Sequence, residues 1–124
     1  MIGYVKSTSN GNEDRKSYHC AHCGIFIAHG ASLTAVNGAR EHSYVNPAGV
    51  RCNFMTFSHC DNVLVHEDLY LEHSWFSGYG WRFLVCQGCF QHLGWKYDPV
   101  RENGRPDGFF GVLIESVTAV SADN

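Results

Sequence analysis

The chain has 124 residues, a formal charge of −3 and 14% aromatic side chains. That length allows one domain with a modest core, and an apolar share of 44% excludes a disordered chain. Nine basic residues scattered along the sequence form no stripe for a phosphate backbone, so nucleic acid is not an expected partner; no apolar run approaches membrane-spanning length.

Residues 1–17 are rich in Ser, Asn, Gly and charge and read as a flexible arm with no apolar signal core. The domain is expected over 18–120, with a disordered tail over 121–124. This points to a cytoplasmic protein; a secreted one with its signal removed is the alternative. YHCAHCGIFIAHG predicts two short strands around a Cys20-x-x-Cys23 turn, with Gly24 supplying a positive φ. Residues 33–45 read as mixed strand and loop. Asn46-Pro47-Ala48-Gly49 is a turn signal. Residues 50–59 have strand character, and 62–71 read as strand and loop. HSWFSGYGW should bend at its glycines. WRFLVC (81–86) predicts a strand entering a second Cys86-x-x-Cys89 turn, and FQHLGWKY (90–97) the strand leaving it. A polar loop follows over 98–108, and FFGVLIESVTAV (109–120) predicts one final strand. Short strands, frequent turns and no long amphipathic pattern imply an all-β fold.

Two Cys-x-x-Cys pairs, Cys20/Cys23 and Cys86/Cys89, match a closed tetrahedral structural Zn²⁺ site rather than a redox dithiol. Four cysteines leave no open position for a catalytic water. The separation between the pairs is far longer than in a zinc finger, so the metal must join distant parts of the domain. His19 and His22 flank the first pair as surface or supporting residues. Cys52 and Cys60 lie outside this pattern and read as free thiols, with a disulfide as the alternative.

All three tryptophans, Trp75, Trp81 and Trp95, fall near the second pair. If the strands flanking Cys86 and Cys89 pair antiparallel with residue numbers summing to about 175, Trp81 lies opposite Gly94. Gly94 then opens space beside Trp81 and one position from Trp95. Tyr97 shares a face with Trp95, and Trp75 arrives from the bent loop. Three indoles could simply be core. Their clustering beside glycine-rich loops, with His73, Ser74 and Asn46 nearby, favours instead an apolar small-ligand concavity with a few polar contacts.

Taken together, HSWFSGYGW, CQGCFQHLGWKY, CAHCG and NPAG resemble the CULT domain family, the thalidomide-binding domain type of cereblon, over residues 18 to about 117. The resemblance implies a β-tent, in which two antiparallel sheets meet at an angle and are pinned by one zinc on the four cysteines. It implies a cage of Trp75, Trp81 and Trp95, with Tyr97 beside it and Asn46 and Pro47 as its rim. The implied ligand is a cyclic imide or uracil-like ring: a glutarimide of the thalidomide type, or a cyclic imide at a protein's C-terminus. In that carry-over the His73 carbonyl accepts the imide N–H, the Trp75 N–H donates to one ligand carbonyl, and the His73 ring reaches the other. A monomeric binding module with no catalytic residues is expected, with no nucleic-acid or membrane partner. Ligase activity is not carried over, because 124 residues leave no room for the additional domain of cereblon proper. Residues 50–71 match the family only weakly.

Three rival readings remain. A methionine-R-sulfoxide reductase has a similar zinc-pinned scaffold, but no cysteine follows Cys89, and Trp95 stands where that family has a histidine. Three indoles also suit a methyl-ammonium reader, with Glu72 assisting. A purely structural interaction domain would bury all three.

Overall fold

The computed structural model describes residues 14–100 and 107–121. Within them the chain forms nine strands in two antiparallel sheets, with two short 3-10 turns. This is the all-β architecture expected. The small sheet has the order β2-β1-β9, built from β1 (Lys16–Cys20), β2 (Phe26–His29) and β9 (Val117–Ser121). The large sheet has the order β3-β4-β8-β7-β6-β5. Its strands are β3 (Glu41–Val45), β4 (Arg51–Phe57), β5 (Val63–Val65), β6 (Tyr79–Cys86), β7 (His92–Pro99) and β8 (Phe109–Leu113).

The 46–49 turn joins β3 to β4 as its sequence predicts. The Asn46 N–H donates to the Val50 carbonyl and Asn46 Oδ1 accepts from the N–H groups of Ala48 and Val50. Gly49 sits at φ 84°. Along β4, Cys52, Phe54 and Thr56 are buried, and Thr56 Oγ1 donates to the Thr34 carbonyl at 2.6 Å.

Most of the N-terminal arm lies outside the described residues, but β1 already begins at Lys16, so Lys16 and Ser17 belong to the sheet rather than to an arm. A larger correction concerns 109–120. It is not one strand: a 3-10 turn at Ile114–Ser116 divides it, β8 pairs with β4 and β7, and β9 pairs with β1. The chain thus crosses from one sheet to the other. The crossing is held from both sides, since the Ser116 carbonyl accepts from the Ala21 N–H at 2.9 Å and Ser116 Oγ donates to the His92 carbonyl. No Pro or Gly marks the break.

The buried side chains fall into two clusters. One joins the sheets near the cysteines, with Tyr18, Ile27, Phe57, Leu84, Leu93 and Val112 at its centre. The other is aromatic: Phe54, Phe76, Tyr79, Tyr97 and Phe109 are buried, and the three indoles pack against them half-exposed. Strand β6 serves both clusters, with Cys86 at one end and Trp81 near the other.

Candidate functional site

The two cysteine turns are built alike. In the first, the Cys20 N–H donates to the Ile25 carbonyl and the Gly24 N–H to the Cys20 carbonyl. In the second, the Cys86 N–H donates to the Gln91 carbonyl and the Phe90 N–H to the Cys86 carbonyl, at matching distances of 2.9 and 2.8 Å. Gly24 takes the positive φ expected of it, 83°, and Phe90 takes the equivalent position at 63° despite its side chain. Each turn therefore presents two sulfurs to one point.

All four Sγ atoms lie within 4.8 Å of one another, with Cys20–Cys89 at 3.7 Å and Cys23–Cys86 at 3.6 Å. Zn–S bonds of about 2.3 Å in a tetrahedron hold sulfurs roughly 3.8 Å apart. A disulfide would need about 2.05 Å. The spacing is therefore that of a zinc tetrathiolate. The Gly88 N–H points at Cys86 Sγ from 3.3 Å, the kind of donor that favours a thiolate. Crowding sets the thiols against each other. Burial and its sulfur neighbours push Cys89 up to about 12. Burial also opposes ionisation of Cys20, but the backbone N–H groups of Cys23 and His22 outweigh it and bring that thiol to about 7. A divalent cation at the centre removes the conflict. Among the described residues no other His, Cys, Asp and Glu side chains gather in this way. Cys52 and Cys60 are buried and unbridged, and burial pushes both thiols up, Cys60 to about 12.

The second feature is a cleft of about 300 Å³ on the large sheet. Trp81 and Phe83 alternate on one face of β6, and Tyr97 and Trp95 stand opposite them on β7. The observed register sums to 178, not about 175. Trp81 therefore faces Tyr97, and Gly94 faces Leu84. The six-residue turn 86–91 and an irregularity at Leu84/Val85 account for the slip. Gly94 does not open space beside Trp81. A Cβ there would lie 2.0 Å from the Gly111 carbonyl oxygen, so glycine is required for β7 to approach β8.

The bent loop 72–78 supplies the remaining wall. Trp75 meets Trp95 edge-on at 5.3 Å and stacks on Tyr44 at 5.2 Å. His73 lines the cleft at φ 59°, a left-handed conformation that costs a side-chain-bearing residue roughly 1 kcal/mol or more. Trp81 holds this loop, because its Nε1 donates to the Glu72 carbonyl at 2.8 Å. Among the described residues, nothing pairs with the His73 carbonyl or the Trp75 N–H.

The cleft thus gathers seven of the eight side chains singled out from the sequence: Asn46 and Pro47 from the turn, His73 and Trp75 from the loop, and Trp81, Trp95 and Tyr97 from the sheet. Ser74 is not in its wall; Ser74 Oγ donates to the Phe76 carbonyl and accepts from the Phe76 N–H, closing a local turn. Asn46 Oδ1 is occupied by its own turn, so of that side chain's polar atoms only the amide nitrogen remains uncommitted among the described residues. Tyr97 is 2% exposed and stacks on Phe109, so it forms the floor of the cleft. Burial pushes its hydroxyl up. Two wall residues escaped the sequence reading. Phe83 is signalled by its two-residue spacing from Trp81. His92 is hidden by the irregular register, and its Nε2–H donates to the Gly94 carbonyl at 2.9 Å. Among the described residues no Asp, Glu or Cys lines the cleft.

Comparison with known proteins bears on the metal site and on the family. The family described as "Yippee zinc-binding/DNA-binding /Mis18, centromere assembly" matches residues 16–124. The chain is also similar to "Protein cereblon" of Drosophila yakuba, 31% identical over 118 residues, which is 91% of this chain and 19% of that protein. The same named protein of Drosophila willistoni is 32% identical over 111 residues (85% and 18%), and that of Drosophila melanogaster 30% over 118 (91% and 19%). The chain spans about a fifth of the length of these curated relatives. No helix among the described residues is long and apolar enough to cross a membrane. A family matched over nearly the whole chain, a four-sulfur zinc site and an indole-walled cleft lead to one conclusion: this chain belongs to the Yippee-Mis18 family of zinc-binding β domains and is a cereblon-like binding module of the CULT type.

Proposed function

We propose that the cleft binds a cyclic imide or a closely related ring, such as a glutarimide of the thalidomide type, a uracil-like ring, or a cyclic imide at the C-terminus of a protein. The observation that carries this reading is the unpaired backbone edge inside an apolar wall. The His73 carbonyl and the Trp75 N–H have no partner among the described residues, and both residues line the cleft. An imide offers acceptor, donor and acceptor along one edge, and its remaining ring atoms are apolar. The His73 carbonyl would accept the imide N–H, the Trp75 N–H would donate to one ligand carbonyl, and the His73 ring would serve the other. Indoles would enclose the carbons, with Asn46 and Pro47 at the rim.

A polar group left unpaired in such a wall costs about 1–3 kcal/mol, so rings lacking the N–H are disfavoured. A free ring of about eight heavy atoms has little surface to bury, which places its affinity in the micromolar range. Among the described residues no carboxylate lines the wall, which weighs against a methyl-ammonium ligand, whose charge wants one. Sulfoxide reduction would need a thiolate within reach of the ligand, and none lines the cleft. The module acts as a monomer on this reading.

The test is a titration by tryptophan fluorescence with thalidomide, uridine and a peptide ending in a cyclic imide, on the parent and on Trp81→Ala. All three should bind the parent, and none should bind the variant measurably. Trimethyl-lysine should not bind either. Undiminished binding to a folded Trp81→Ala, or cation binding without imide binding, would overturn the assignment.

A further inference from the structure

A second cleft, of about 730 Å³, shares the bent loop with the first. The loop divides its residues between them: His73 and Trp75 line the indole cleft, Phe76 and Ser77 the second. The floor of the second cleft is aromatic. Phe76, Tyr79 and Phe109 are buried there, and the first two stand edge-on to the Phe109 ring at 5.0 and 5.2 Å. The rest of its wall is polar and uncommitted. Asp107 is exposed and makes no ion pair among the described residues. The side chains of Thr34, Asn37 and Ser77 have no hydrogen-bond partner among them either. No Lys, Arg or His among the described residues lines this cleft, so Asp107 sets its charge. An apolar floor with a few free polar groups above it is how a small-ligand site is built.

We propose that this cleft is a separate binding site for a guanidinium group on an aliphatic stem, with the stem on the ring floor and the head on Asp107. A guanidinium only donates, through N–H groups set in a planar fork. The wall supplies acceptors to match: the Asp107 carboxylate, the Thr34 and Ser77 hydroxyls and the Asn37 amide oxygen. A carboxylate takes two of the N–H groups side by side, and the neutral oxygens accept the others. The floor suits the stem, because methylenes gain by leaving water against apolar rings. An anion would meet Asp107 with no cation lining the cleft to offset it. A neutral apolar ligand would strip water from the carboxylate and replace it with nothing. The proposal does not depend on what the indole cleft binds.

The probes are Nα-acetyl-arginine amide and Nα-acetyl-citrulline amide, which match in size and differ by a single positive charge. Each is titrated into the zinc-loaded parent, Asp107→Asn and Asp107→Ser, followed by backbone amide NMR shifts. Zinc content and melting temperature report whether each variant is folded. The arginine probe should bind the parent in the millimolar range or tighter, with the largest shifts at residues 34–37, 77 and 107–109. It should bind roughly threefold to fivefold more tightly than the citrulline probe. In both variants the two probes should come within about twofold of each other. Equal affinity of the two probes for the parent overturns the proposal, as does an arginine preference that survives in both folded variants. So does a set of shifts centred elsewhere, or a parent that binds neither probe.

Discussion

Two residues show how little freedom the site leaves. Gly94 sits at φ 149°, and a methyl group there would meet the backbone of Gly111 rather than a side chain that could turn aside. Gly94→Ala should therefore cost about 3 kcal/mol or more, seen as a fall in the urea midpoint. A loss below roughly 1 kcal/mol would mean that β7 and β8 can part at small cost. Trp81 acts through both its ring and its N–H. Trp81→Phe keeps an aromatic face but removes the bond to the Glu72 carbonyl that holds the His73 loop. One such hydrogen bond is worth about 1 kcal/mol, so imide affinity should weaken roughly threefold to tenfold in Trp81→Phe. If affinity is unchanged, the loop holds its shape without Trp81.

At the scale of elements, β6 and β7 carry the cleft on one face and an ion cluster on the other. Asp98 receives a hydrogen bond from Arg82 Nε at 2.9 Å and one from Lys96 Nζ at 2.6 Å. Burial pushes the Asp98 carboxyl up, but these two cations outweigh it and hold it below the usual carboxylate range. A carboxyl depressed on folding adds stability that is complete above its unfolded value of about 3.9 and fades only as pH falls through the lower folded value. Asp98→Asn should then cost roughly 1–2 kcal/mol by urea unfolding, and the same at pH 7 as at pH 5. A difference already shrinking between pH 7 and pH 5 would contradict the sign of the shift. The sequence disclosed these strands but not their register. Its Cys-x-x-Cys motif announces a turn, yet the number of residues in that turn depends on Phe90 adopting a positive φ, which nothing in its side chain signals. The three-residue error moved Gly94 and concealed His92. The break inside 109–120 was equally silent, since Ile114–Ser116 contains no Pro or Gly and the turn shows itself only in the pairing of β8 and β9 with different sheets. The cysteines, the indoles and the 46–49 turn were legible because each carries its chemistry in its own side chain or spacing.

For the molecule as a whole, the metal joins the sheets through β1 and β6. Cys20 ends β1 in the small sheet, and Cys86 ends β6 in the large one. Packed residues around the sulfurs, Tyr18 and Ile27 on one side and Leu84 and Leu93 on the other, form the cluster that spans both sheets. Structural zinc binding contributes about 10–16 kcal/mol, as much as the whole stability of a typical domain, about 5–15 kcal/mol. Removing the ion should therefore unfold the domain rather than loosen one corner. A strong chelator at neutral pH should release one zinc per chain and abolish strand circular dichroism and imide binding in parallel. Cys86→Ser should do the same without chelator. Acidification should act in the same direction, because protons compete for the thiolates. The discriminating measurement is hydrogen exchange on the chelated protein. If β7 and β8 stay protected around the cleft while only β1, β2 and β9 open, the aromatic cluster is stable by itself, and the zinc fastens a sheet that the ligand site does not need.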